Sequence, residues 1–253
     1  MKIWRLFVYL VASYWINCAR FPRSIYRRNL IFDTVHEYSI YCSMIINLIS
    51  KLSSKYLLVL LLLSSLHCFG QDYKSQIADF RKKYADDFLT DPNSPLKKDD
   101  LQYLRFYDPD STYRVTAKEE LLSNESNFIM PVFSGTGRQS VRYAVLKFLL
   151  KGQLMQLTVY RNVALSAIPQ YKDYLFLPFT DDTNGTETYG GGRYIDLREG
   201  DIKSNEVVID FNKAYNPYCA FSGGYACPKP PDENHLHIAV KAGEKLFTGE
   251  KKH

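Results

Sequence analysis

Tryptophan and cysteine are scarce in this sequence, and neither sign of charge dominates it. Trp4 and Trp15 are the two tryptophans of a 253-residue chain, and both stand at its start. Of five cysteines, only Cys219 and Cys227 lie beyond residue 70, so a cysteine-dense secreted scaffold is excluded. The apolar run Tyr56–Leu66 has eleven residues, too few to cross a bilayer, for which about 20 are needed. The formal net charge of +5 is misleading. Eight of the 32 basic residues and two of the 27 acidic ones precede residue 71, leaving 24 against 25 and a net charge of −1. A near-neutral chain lacks the basic footprint that nucleic-acid binding needs, so nucleic acid is set aside as a partner.

Several catalytic signatures are missing as well. Ser134-Gly135-Thr136-Gly137 lacks the nucleophile-elbow form, and no Ser-His-Asp order stands out. Gly190-Gly191-Gly192-Arg193 has no following Lys-Ser/Thr, so it is no phosphate loop. It reads instead as a glycine bend, with an Arg193 anion contact as the alternative. Thr180–Glu187 puts no carboxylate at the first or twelfth position of a calcium loop and reads as a polar turn. No cofactor is indicated.

What is present begins with a leader. Lys51 and Lys55 precede the Tyr56–Leu66 run, and Cys68-Phe69-Gly70 offers small residues before a cut ahead of Gln71. Residues 44–70 thus read as a signal peptide, with export to the periplasm or the outside. Residues 1–43 read as a doubtful upstream extension, translation starting at Met44. The mature chain, residues 71–253, is then one domain without a membrane span. Its 46% hydrophobic and 23% charged composition, taken over the whole chain, is ordinary for a globular protein.

Tyr73, Ile77, Phe80, Tyr84 and Phe88 recur at helical spacing and predict a helix over 72–89. Ser94-Pro95 opens a short second helix ending at Leu104. From Tyr107 the pattern changes to β-branched and aromatic runs: 112–116, 128–133, 141–150, 154–160, 174–179, 194–197, 206–211 and 235–241. Asn184-Gly185 reads as a type I′ hairpin turn, and Lys151-Gly152-Gln153 as another short turn. The expected fold is mainly β (α+β): an antiparallel β-sandwich or partly open barrel under an N-terminal helical cover.

Eight of the 13 glycines fall between Phe179 and Lys245, in a stretch rich in polar residues. Four motifs stand there in order: Glu187–Tyr194 (ETYGGGRY), Asp210–Cys219 (DFNKAYNPYC), Cys227–Asn234 (CPKPPDEN) and Ala242–Lys245 (AGEK). On these residues the chain resembles the bacterial domain-of-unknown-function family DUF1684, and the resemblance reaches back to about Tyr103. It implies no activity.

Two candidate sites follow. Cys219 and Cys227, eight residues apart across a Gly-containing loop, are expected to form a disulfide after export. The alternative joins them to His235 and His237 in a zinc site. The polar residues Glu187, Tyr189, Arg193, Asp210, Asn212, Asn216, Glu233 and Asn234 form the candidate ligand surface. The leading reading is a non-catalytic binding or accessory domain for a small polar ligand or a cell-envelope glycan. A hydrolase using Glu187, Asp210 and Glu233 is the alternative, because paired carboxylates can share acid and base work.

Overall fold

The computed structural model describes residues 73–252. The expected signal peptide and upstream extension lie outside the described residues. No helix among the described residues is long and apolar enough to cross a membrane.

Helix α1 (residues 73–90) forms where its spacing predicts. Ile77 and Phe88 are buried, and Tyr84 meets Phe88, Phe106 and Tyr215 edge-on or tilted. Lys83 and Asp87 pair on its exposed side at 2.7 Å. Pro92 stands just beyond the end, where its missing N–H stops the ladder. The second helix is less regular than expected, a 3₁₀ segment over Lys98–Tyr103.

Eight strands follow: β1 (Arg114–Leu121), β2 (Phe128–Met130), β3 (Arg138–Leu150), β4 (Gln153–Asn162), β5 (Tyr174–Asp181), β6 (Arg193–Arg198), β7 (Glu206–Asp210) and β8 (His235–Leu236). They make one sheet in the order β6-β5-β4-β3-β1-β7, with β2 on β3 and β8 on β5. All pairs are antiparallel except β5–β8. The result is mainly β, a single curled half-barrel sheet with a helix before it, so the partly open barrel is the form adopted.

Two turn expectations divide. Lys151 and Gly152 have φ of 49° and 80° and close a tight hairpin between Leu150 and Gln153. At Asn184-Gly185 only Gly185 has positive φ, so no type I′ turn forms there. The β5–β6 connection is a longer loop, and the Asn184 side chain builds it. Its Oδ1 accepts from the Asp181 N–H at 2.5 Å, and its Nδ2 donates to the Tyr189 carbonyl at 2.6 Å. A side chain that can serve as both donor and acceptor has replaced the backbone turn.

The sheet buries both faces, which is why β5 reads Tyr-Leu-Phe-Leu-Pro-Phe without polar alternation. Leu175, Leu177 and Phe179 join Leu146, Leu157, Ile195 and Ile209 in the main core. The segment after β7 covers that core with Phe211, Leu236, Val240 and Ala242. Phe176 points the other way, into a second cluster with Met130, Tyr160 and Tyr194. This aromatic face is the one that positions the site.

Candidate functional site

The predicted polar residues are placed first as structural ties. Arg193 is 0% exposed. Its guanidinium donates to Asp181 Oδ2 at 2.7 Å, to the Val240 carbonyl at 2.9 Å and to the carbonyls of Ala242 and Glu244. Asp181 in turn accepts from Thr183 N and Oγ1 and from Val240 N. A buried charge pair with both terminal guanidinium nitrogens hydrogen-bonded, and only Nε left without a partner, holds the closing segment on the sheet. Gly192 must precede Arg193. Its φ is +88°, and a Cβ there would lie 2.7 Å from the Phe179 carbonyl oxygen. The triple-glycine run is therefore a bend that aims Arg193 inward, not an anion cradle.

Asn234 bridges β4 and β5, which pair directly only at Tyr160 and Phe176. It donates to the Thr158 and Pro178 carbonyls and accepts from the Thr158 N–H, at 2.6–2.8 Å. Asn212 likewise exchanges two bonds with the Asp110 backbone at 2.9 Å. Both amides stand in for a missing strand neighbour.

The three carboxylates of the hydrolase alternative do not share a partner. Glu187 binds Lys241 at 2.8 Å and Tyr107 at 3.1 Å. Asp210 accepts from Tyr73 and Asn212. Glu233 binds Arg142 at 2.9 Å and Tyr160 at 2.8 Å. Hydrogen bonds from Lys241 and Tyr107 lower the Glu187 pKa. Partial burial raises that of Glu233, but Arg142 and Tyr160 outweigh it and the net shift is downward. A general acid needs the opposite shift.

The expected disulfide is not formed. Cys219 and Cys227 are buried free thiols. The Cys219 N–H donates to Cys227 Sγ at 3.2 Å, while Cys219 Sγ is directed to the Tyr225 carbonyl at 3.0 Å. With Cys219 Sγ donating to a backbone oxygen, the two side chains rest as neighbouring thiols with no bridge between them. Burial pushes the Cys227 thiol up to about 12, far from a reactive thiolate. The zinc alternative finds no support in geometry. His235 and His237 pack ring against ring at 4.6 Å, with His235 Nδ1 on Thr180 Oγ1. Among the described residues, no group of three or more His, Cys, Asp or Glu side chains could hold a metal.

Two concavities stand out among the described residues, and each takes in only the margin of the predicted polar set. The larger, about 610 Å³, lies between the aromatic face of the sheet and the loops over 215–228. Tyr160, Tyr174, Phe176, Tyr194, Tyr215 and Tyr218 wall it, and Cys227 and Pro228 contribute backing. Phe176 and Tyr194 meet edge-on at 4.7 Å, as do Tyr194 and Tyr215 at 5.8 Å. Of the predicted site residues, Asn216 and Cys227 line it. The smaller, about 330 Å³, is lined by Asp196, Asp210, Arg114 and Lys213 and shares Tyr215 with the larger.

Between the two sits Asp196, which accepts from Tyr174 at 2.6 Å and from Tyr215 at 2.7 Å. Surrounding atoms raise its pKa, and the two hydroxyls pull it back. Glu244, unlike the exposed Asp196, is 0% exposed. Its Oε2 accepts from Tyr84 at 2.8 Å and from the Asn216 N–H at 2.7 Å. Burial lifts its carboxyl to about 8, against the pull of those two donors and of Arg193. Glu244 was visible as the third residue of the AGEK motif. Asp196 carried no local signal, because its partners come from β5 and from the loop after β7.

The family described as "Protein of unknown function (DUF1684)" matches residues 99–245. The chain belongs to that family. The DUF1684 match spans β1 through β8 and ends just past Glu244, so it contains the whole lining of the larger concavity and all but Phe80 of the smaller. The chain is also similar to an uncharacterised protein of Haloarcula marismortui, known from a solution NMR structure. The two share 32% identity over 72% of this chain and 98% of that one, with a TM-score of 0.56. No curated protein matches.

Proposed function

We propose that the domain is a non-catalytic binding module that takes a small organic ligand into the aromatic cavity. The observation that carries this is the cavity itself. Its volume of about 610 Å³ falls in the range of small-molecule sites, about 300–1,000 Å³. Its walls are rings, with a few polar groups such as Asn162 and Asn216 to fix orientation. This shifts the site away from the Glu187–Asn234 polar surface, whose side chains are largely spent on each other and on backbone. A mostly aromatic enclosure suits a compact apolar body better than a long glycan. Export belongs to this reading, and a cut before Gln71 keeps every described residue.

The test uses N-phenyl-1-naphthylamine, a neutral dye that brightens in apolar sites. Residues 73–252 contain no tryptophan, so in the unmutated domain its emission is read without indole background. Saturable binding near one equivalent is expected. Leu165→Trp, which places a ring in the cavity wall, should abolish it. Absence of saturable binding, or binding that Leu165→Trp leaves intact, would overturn the proposal.

A further inference from the structure

We infer that the ligand of this cavity is an organic anion, its apolar body among the tyrosine rings and its acidic group on the guanidinium of Arg138. The inference rests on the cavity being a binding site. Arg138 is the one charged side chain among the lining residues. It opens β3, paired across from Met130 of β2, and so stands at the edge of the aromatic face. No carboxylate lines the cavity to neutralise it.

Every other arginine of the sheet stands by a carboxylate, Arg114 the most loosely at 3.9 Å from Asp210. Arg142, Arg161, Arg193 and Arg198 each hold a carboxylate at 2.6–2.9 Å. Arg138 holds none among the described residues; its backbone pairs with Met130 and its carbonyl accepts from Ser140 Oγ. An unpaired, planar fork of donors beside an apolar enclosure matches a carboxylate, sulfonate or phosphate in two-point contact. Its charge also reaches the cavity wall, where it opposes the rise in the Cys227 pKa.

An organic cation is the competing class, because tyrosine rings attract cations. Asp196 is the nearest candidate counter-charge, but the Tyr174 and Tyr215 hydroxyls already occupy it, and it lines the smaller concavity. Arg138 would repel a cation entering the larger one.

Two dyes of the same skeleton test this: N-phenyl-1-naphthylamine and 8-anilino-1-naphthalenesulfonate, which adds one sulfonate. On the full chain the sulfonate should bind about tenfold more tightly, the value of one charge-assisted contact. Arg138→Gln should bring its affinity down to that of the neutral dye and leave the neutral dye unchanged, which also reports an intact fold. Raising the salt from low to high should weaken the sulfonate alone. Equal affinities, a tighter neutral dye, or an Arg138→Gln loss shared by both would overturn the anion inference while the cavity reading stands. Failure of both dyes to bind would overturn both.

Discussion

Replacing Glu244 by Gln should flatten the pH dependence of stability between about pH 5 and pH 8. Glu244 is fully buried, and its folded-state pKa of about 8 stands above the ordinary value of 4.5. In that window the folded chain keeps the proton and the unfolded chain releases it. The unfolded state thus binds fewer protons, and wild-type stability falls as pH rises, by up to 1.4 kcal/mol per unit. This contribution is fully present below pH 4.5 and lost as pH approaches 8. Integrated from pH 5 to pH 8, the loss is roughly 3–4 kcal/mol. The lowered carboxylates, Asp91, Asp100, Asp110, Glu187 and Glu233, act in the opposite sense and below this window. Gln keeps an oxygen to accept from Tyr84 and the Asn216 N–H, and it cannot ionise. Urea unfolding of both proteins at half-unit pH steps is the assay. The variant should gain roughly 3–4 kcal/mol on wild type across the window. Parallel curves, or wild-type stability that rises from pH 5 to pH 8, would refute the reasoning.

Other consequences are as direct. Arg193→Met strands Asp181 in the core and should cost about 3–5 kcal/mol, read by urea unfolding; adding Asp181→Leu should recover much of it. Asn234→Ala removes three bonds between β4 and β5 and should cost about 3 kcal/mol, lowering the melting temperature by about 6–12 °C; an unchanged melting curve would show that the bridge is dispensable. Intact mass spectrometry of protein from its own host should give a chain starting at Gln71 with no two-hydrogen deficit at Cys219 and Cys227. The two thiols should react with alkylating agents only after unfolding.

Local patterns were enough for much of this. Residues Tyr73 to Phe88 determine α1, because a repeat of three and four residues leaves one apolar face whatever it packs against. The β-type runs after Tyr107 determine a mainly β domain, and their number and spacing exclude alternating crossovers. Gly152 behind Lys151 determines a tight hairpin, since the positive φ is local. The four motifs of the second half mark the region that carries the family.

Tertiary structure decided the rest. Asn184-Gly185 has the letters of a hairpin turn, yet β5 and β6 are set by their register. Thr183, Asn184 and Thr188 then spend their side chains on a longer loop. Polar residues that are close in sequence, such as Asp210 and Asn216, or Arg193 and Glu187, took partners up to 137 residues away. Burial forces each such group to find a donor or acceptor, and only the fold says where one is. The disulfide shows the same limit: spacing brings two cysteines near, and the fold leaves them as neighbouring thiols. The cavity was the least legible feature of all. Tyr160, Tyr174, Tyr194 and Tyr215 read one by one as strand or loop packing, and they become a site only because the curled sheet turns one aromatic face toward loops that do not fill it.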